Sequence, residues 1–78
     1  MKINYELTDT FGGQSNYAWV KRASVDAPDN LTDLAIVRRA KKWAELNGMA
    51  CTVYSNYGDG FAIYPRHACV VLFVTFEE

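Results

Sequence analysis

The chain has little net charge, and this excludes two broad classes of function. Its 8 Lys and Arg residues nearly balance its 9 Asp and Glu residues, which leaves a net charge of −1 at pH 7. Attraction of nucleic acid by an overall field needs a strongly basic chain, and imitation of a DNA duplex needs about one negative charge per 1.7 Å of axis. Any electrostatic recognition is therefore local.

Long hydrophobic runs and a secretory leader are also missing. The longest apolar run, residues 69–76 with Thr75 inside it, is far shorter than the ~20 residues that cross a bilayer. Residues 1–6 lack the basic start and apolar stretch of a signal peptide. We therefore expect a cytoplasmic protein without a membrane segment.

Cysteine and histidine are scarce, which argues against a metal site and against catalysis. Cys51 and Cys69 lack CxxC spacing, and with His67 they do not make up the usual four zinc ligands. Both cysteines lie in strand-like runs and are expected to be buried and reduced. His67 follows Arg66 in a predicted loop and has no orienting carboxylate, which a general base needs. We expect no metal, no cofactor and no enzymatic activity.

What the chain does have is apolar and aromatic content, at 50% and 14% of residues. Together with 22% charged residues, this content excludes disorder and is typical of a compact domain. The chain is too short for a second core. Residues 1–78 are therefore predicted to form a single domain.

Period-two alternation and turn-forming residues predict five strands. They cover residues 2–8, 17–25, 49–57, 61–64 and 69–76. The Gly12–Gly13 pair predicts a hairpin between the first two strands, and the second is long enough to carry a bulge. The fifth is apolar on both pleat faces, which predicts a central strand or one covered by a partner.

A helical period replaces the alternation over residues 31–47. Asn30 and Asp33 resemble a capped start, and Gly48 is predicted to end the helix. The apolar stripe includes Trp43, which we expect to be buried between helix and sheet. The order ββαβββ predicts an α+β two-layer sandwich, with one helix on a mainly antiparallel sheet of four to five strands.

One helix covers only one face of such a sheet. The other face then needs strong curvature of the sheet, a dimer mate or a docked partner. The sequence does not distinguish between these three ways of covering the second face.

Exposed aromatics and one basic cluster are the candidate partner-binding residues. Tyr54, Tyr57 and Tyr64 lie near the predicted Gly58 hairpin, and tyrosine is a common anchor in protein interfaces. A second set lies on the helix, where one basic stripe could meet phosphate or an acidic protein surface. Its members are Arg38, Lys41 and Lys42.

Residues 8–22 read TDTFGGQSNYAWVKR. This segment resembles a pattern of short uncharacterised proteins from phages and mobile elements of proteobacteria. The pattern consists of TDTFGG, two variable residues, NYxWV and a basic residue. Small proteins of such elements include anti-CRISPR and other counter-defence proteins, which bind and block a host complex. The resemblance implies a stoichiometric protein binder and assigns no site.

The sequence therefore predicts a small non-catalytic protein-binding module. The resemblance implies, more narrowly, an inhibitor of a host defence complex. One alternative is a single-stranded nucleic-acid-binding module that uses sheet aromatics and the basic helix face. Another is a homodimeric structural or toxin–antitoxin type component.

Overall fold

The computed structural model describes residues 1–55 and 60–77. The described residues form one helix and one five-stranded antiparallel sheet of order β2-β1-β5-β4-β3. The elements are β1 (Lys2–Phe11), β2 (Gln14–Asp26), α1 (Asp33–Trp43), β3 (Cys51–Ser55), β4 (Gly60–Pro65) and β5 (Val70–Glu77). The predicted α+β sandwich of order ββαβββ is confirmed, and so is the central position of the last strand.

The two faces of the sheet are set by the pairing register. Tyr5 of β1 stacks on Trp43 of α1, so Tyr5 and its cross-strand partners Ala23 and Val74 lie on the helix face. Side chains of opposite parity lie on the other side, which we call the open face. The core lies between the helix face and α1, and it contains Ile3, Tyr5, Leu7, Ile36, Ala40, Leu46, Phe61, Ile63, Leu72 and Val74.

Trp43 packs on the sheet as expected but is only half-buried. Its ring lies 5.1 Å from that of Tyr5 at an angle of 28°. The Lys21 ammonium lies 5.2 Å from the centre of the Trp43 ring, a cation–π contact. Trp43 is the last residue of α1, so no further helical turn covers its edge, and the expectation of full burial is wrong.

The helix is shorter than predicted at both ends. Thr32, not Asn30, is the N-cap, and its hydroxyl accepts a hydrogen bond from the Ala35 N–H at 3.2 Å. The C-terminus closes at Glu45, which has a φ of +60°. The Glu45 and Leu46 N–H groups donate to the Lys42 and Lys41 carbonyls at 3.2 and 2.8 Å. This is a Schellman motif with glutamate where glycine is usual, so the helix ends before Gly48.

Glu45 gives a stability prediction. A left-handed backbone costs a non-glycine residue about 1–2 kcal/mol, and the extra chain entropy of an unfolded glycine offsets about 0.4–1 kcal/mol of the gain. We therefore expect Glu45→Gly to raise the melting temperature by about 4–8 °C, which corresponds to about 1 kcal/mol. Glu45→Ala keeps the strain and should give no rise. Equal melting of the two variants would contradict the assignment.

The hairpin between β1 and β2 has the special backbone that its glycines predict. Gly12 and Gly13 have φ values of +62° and +83° and connect the paired residues Phe11 and Gln14. Two residues in the left-handed region make a tight turn. The strands therefore run up to the glycines, further than the predicted ends at residues 8 and 17.

The predicted bulge in the second strand is confirmed. The register passes from Thr8–Val20 to Thr10–Ser15, so β2 uses more residues than β1 over this stretch. Tyr17 lies in the bulge with a φ of +56°. Because a bulge bends its strand and increases the local twist, the tip of the β1–β2 hairpin is redirected.

This bulge covers part of the open face. Thr8 lies on that face and is fully buried. Its hydroxyl accepts from the Tyr17 N–H at 3.1 Å and donates to the Trp19 carbonyl at 2.9 Å. Val71, which pairs with Thr8 on β5, is fully buried as well. The bent β1–β2 hairpin therefore covers the open face at Thr8, and the remainder of that face stays accessible.

Candidate functional site

The open face divides into a charged half and an uncharged half. The charged half lies on β1 and β2 and carries Lys2, Asn4, Glu6, Arg22, Ser24 and Asp26. The uncharged half lies on β3, β4 and β5 up to Thr75, and its side chains share the face through the pairs Tyr54–Ala62, Thr52–Tyr64 and Ala62–Phe73. Glu77 at the end of β5 pairs with Lys2 and belongs to the charged half. We call this half the open-face patch, and it consists of Thr52, Tyr54, Ala62, Tyr64, Phe73 and Thr75.

Two tyrosines form the centre of the open-face patch. The rings of Tyr54 and Tyr64 meet edge to face, with centroids 5.6 Å apart and an angle of 84°. Tyr54 is 59% exposed, whereas Tyr64 is half-buried. An aromatic pair of this geometry contributes about 0.5–1.5 kcal/mol beyond area burial. The pair therefore presents a fixed aromatic surface to solvent.

A groove of about 570 Å³ lies over these tyrosines. Thr52 and Ala62 belong to its floor, and Gly13 lines it from the β1–β2 turn. The bent hairpin thus reaches over the open face and forms a wall of the groove. A hollow of about 250 Å³ shares Tyr54 and Ala62 with the groove and extends to Phe73.

The charged half is largely paired within the chain. Glu6 accepts from the Arg22 Nε at 2.8 Å and from the Tyr17 hydroxyl at 3.1 Å. The hydrogen bond to Glu6 raises the pKa of Tyr17 above its ordinary value. Ser24 donates to Asn4 at 2.5 Å. These four side chains of the charged half and Tyr17 are bonded within the chain, whereas the open-face patch carries no charge.

Residues of the TDTFGG…NYxWV pattern build the bulged hairpin. Asp9 accepts from the Asn16 Nδ2 and from the Ala18 N–H, each at 2.9 Å. The hydrogen bond from Asn16, followed by those from backbone N–H groups, lowers the pKa of Asp9 below its ordinary value. With the hydrogen bonds of Thr8, these contacts give the pattern a structural role, because they fix the wall of the groove.

The predicted basic residues lie on the other side of the sheet from the tyrosines. Arg38 and Lys42 are exposed on α1, while the Lys41 Nζ donates to the Met49 carbonyl at 2.8 Å and ties down the segment after the helix. The structure therefore brings Tyr54 and Tyr64 together and keeps the basic stripe apart from them.

Arg39 belongs to the same basic cluster in the sequence but is not among the predicted partner-binding residues, and it lies on the inner edge of the stripe. Together with Lys42 and Trp43 it lines a hollow of about 650 Å³ between α1 and β2. Tyr5 forms part of the floor, and burial raises its pKa, a shift that the charge of Arg39 opposes. The position of Arg39 beside Lys42 and Trp43 follows from the helical period, since residues three and four apart are neighbours on a helix surface.

Several other candidates are exposed or lie outside the described residues. Tyr57 and the Gly58 turn fall within residues 56–59, outside the described part of the chain. His67 is exposed, Cys51 is half-buried and Cys69 is exposed, so the expectation that Cys69 is buried is wrong. It lies in the β4–β5 connection rather than in a strand. Over residues 1–55 and 60–77, no three His, Cys, Asp or Glu side chains are grouped to hold a metal ion.

No helix among the described residues has the length and apolar character needed to cross a membrane. Comparisons of the chain with protein-family models, curated proteins and solved structures find no match.

Proposed function

We propose that the protein is a small non-catalytic protein-binding module and that the open-face patch is its binding surface. The observation that carries the proposal is the exposed, uncharged aromatic surface at Tyr54 and Tyr64, on the sheet face that α1 leaves uncovered. Protein interfaces are enriched in aromatic residues and depleted of charge at their centres. The charged half of the open face then supplies a polar rim.

The groove beside the tyrosines is suited to a protein partner. A standard interface buries about 800 Å² on each side, with a few central residues that carry most of the binding energy. The groove at Gly13 offers a concave centre beside the tyrosines, and anchor residues favour such desolvated pockets. Tyr54 and Tyr64 are the expected anchors.

The distribution of charge disfavours nucleic acid on this surface. Modules that bind single strands combine stacking aromatics with cations that contact phosphates on the same groove. Among the described strand residues, the cations of the open face are Lys2 and Arg22 on β1 and β2, and Arg22 is paired with Glu6. Arg38 and Lys42 are on the helix side. Protein is therefore the partner class that we propose.

A binding experiment tests the open-face patch. We expect Tyr54→Ala to weaken the partner complex about 30-fold or more, because loss of a central aromatic anchor costs about 2 kcal/mol or more. The partner is first captured from a nuclease-treated bacterial lysate with the tagged protein and then titrated in purified form.

Leu34→Ala is the matched control for this experiment. Leu34 is also 59% exposed but lies on α1, so its truncation should leave the affinity unchanged. Weakening by Leu34→Ala or Arg38→Ala, together with full binding by Tyr54→Ala, would move the interface to the helix.

One observation favours the nucleic-acid alternative at a different place. Lys21, Arg39 and Lys42 surround the ring of Trp43 on the helix side, where cations and an aromatic do coincide. Oligonucleotide binding there would weaken steeply with salt, because each neutralised phosphate releases a counterion. Titration with single- and double-stranded oligonucleotides at physiological salt separates the two functions, since tight binding would contradict the protein-binding proposal.

Inhibition of a host defence complex is the finer form of the proposal. It depends on the resemblance of residues 8–22 to proteins of phages and mobile elements. A cytoplasmic location belongs to the same prediction. Identification of the captured partner by mass spectrometry tests both.

A further inference from the structure

The outer edge of β3 is one of the two edges of the sheet. β3 lies at one end of the strand order, and β4 pairs with its inner edge. Its residues 52–55 are all exposed. An edge of this kind presents free N–H and C=O groups that can pair with another strand.

The pairing with β4 shows which backbone groups of β3 point outwards. The Arg66 N–H donates to the Ala50 carbonyl at 2.9 Å, one step beyond the Cys51–Pro65 pair. Hydrogen-bonded and non-hydrogen-bonded pairs alternate in an antiparallel ladder, so Thr52 and Tyr54 bond inwards to β4. The N–H and C=O groups of the other three strand residues therefore face outwards, namely those of Cys51, Val53 and Ser55.

β3 also lacks the features that protect edges. Proteins block free edges with charged side chains, proline or a bulge. β2, the other edge, has a bulge and carries Lys21, Arg22 and Asp26. β3 has the sequence CTVYS, without charge or proline. One edge of the sheet is protected and the other is not.

We propose that β3 pairs with β3 of a second copy of this chain, antiparallel and about a two-fold axis at Val53. Residues whose backbone groups face outwards then pair with each other across the axis. Val53 pairs with Val53 of the other copy, and Cys51 pairs with Ser55 of the other copy. Thr52 meets Tyr54 of the other copy on the open face. None of these cross-strand pairs places like charges opposite each other. Each pair joins β-branched, aromatic or small side chains that favour strands. The two sheets become one ten-stranded sheet.

This dimer places the two open-face patches side by side, because side chains of equal parity share a face across the new pair. The inference stands on the geometry of the β3 edge and does not need the proposed protein partner. A five-residue strand pair is smaller than a standard interface, so the dissociation constant should lie in the micromolar to millimolar range.

Sedimentation velocity of the full chain tests the dimer. At loading concentrations from about 10 µM to about 1 mM, which span this affinity range, we expect the weight-average mass to rise from monomer towards dimer. Val53→Lys sets two like charges against each other at the axis and should hold the chain monomeric. Val20→Lys is the matched control on β2, since Val20 and Val53 are 39% and 41% exposed, and it should associate like the parent.

A cross-link tests the register directly. In a Cys69→Ser background, Ser55→Cys places its thiol opposite Cys51 of the other copy, at the Cα separation of about 5.5 Å that a disulfide accepts. We expect dimers on a non-reducing gel after mild oxidation. Ser24→Cys on β2, in the same background, should give none.

Two results would overturn the proposal. The first is a monomeric parent over the whole concentration range. If Val53→Lys then also abolished binding to a captured protein, the edge would be assigned to a strand of that protein. The second is equal cross-linking by Ser55→Cys and Ser24→Cys. Thermal melting by circular dichroism shows whether Val53→Lys keeps the fold.

Discussion

Gly60→Ala should unfold the protein or lower its melting temperature by about 10–30 °C. Gly60 is the first residue of β4 and pairs with Thr75 of β5. A Cβ at this position would overlap the carbonyl oxygen of Val74, and the backbone φ of +154° adds strain for any L side chain. Overpacking and backbone strain each cost about 1–3 kcal/mol, and about 1 kcal/mol moves the melting temperature by about 4–8 °C in a domain of this size.

Gly48→Ala is the control for this prediction. Gly48 has a φ of +83°, but nothing lies within 4 Å of the position of its missing Cβ. Its replacement therefore costs the backbone strain alone. Thermal unfolding of both variants measures the difference. Melting of Gly60→Ala within a few degrees of Gly48→Ala would mean that β4 and β5 do not approach as closely as described.

The fold class could be predicted because local patterns and the global fold agree in this chain. Alternation in β1, the 3.6-residue stripe of α1 and the two-faced apolar run of β5 each result from burial on known faces. β4 ends at Pro65, one residue beyond the predicted end at residue 64, because proline cannot continue the ladder. These signals depend on hydrophobic spacing, which the sequence displays directly.

The end of α1 and the position of the bulge could not be predicted from the sequence, because they are formed by residue types that do not usually mark such features. The left-handed residue after α1 is Glu45, although Gly48 is the residue with the stronger C-cap preference. The bulge is held by hydrogen bonds that the side chains of Thr8 and Asp9 accept from backbone N–H groups nine positions further along the chain. No local pattern encodes those contacts, so the sequence predicts a hairpin at the Gly12–Gly13 pair but neither the position of the bulge nor how far the two strands pair.

The candidate site could be predicted in part for a related reason. Period-two alternation places Thr52 with Tyr54 on one face of a strand and Tyr64 on a neighbour, so the tyrosine pair agrees with the pattern. The separation of Arg38 and Lys42 from that pair depends on which face α1 covers, and this is fixed only by packing such as that of Tyr5 on Trp43. The groove wall at Gly13 depends on the bulge.

Thr8→Val should lower the stability of the protein by about 2–4 kcal/mol, out of a total of about 4–12 kcal/mol for a domain of this length. Valine has the shape of threonine, so the packing of this fully buried side chain is kept. The Tyr17 N–H and the Trp19 carbonyl each lose a hydrogen-bond partner. Both bonds are partly buried, so each loss lies towards the lower end of the about 1–3 kcal/mol that a buried polar group without a partner costs.

Thermal and urea unfolding measure this loss, and two variants control it. Thr8→Ser keeps the hydroxyl and should retain most of the stability, because only a methyl group is removed. Thr52→Val removes an exposed hydroxyl of the open-face patch and should change stability by less than about 0.5 kcal/mol. If Thr8→Val and Thr8→Ser melted alike, the hydroxyl would not hold the bulge.

Thr8→Val also tests whether the β1–β2 hairpin contributes to partner binding. The bulge aims the Gly12–Gly13 turn over the groove, so its loss should move Gly13 away from Tyr54 and Tyr64. Below the melting temperature of Thr8→Val, we expect the folded variant to bind the captured partner more weakly, with a faster dissociation rate, whereas Thr8→Ser should bind like the parent. Unchanged dissociation from folded Thr8→Val would show that the partner contacts the tyrosines without the hairpin.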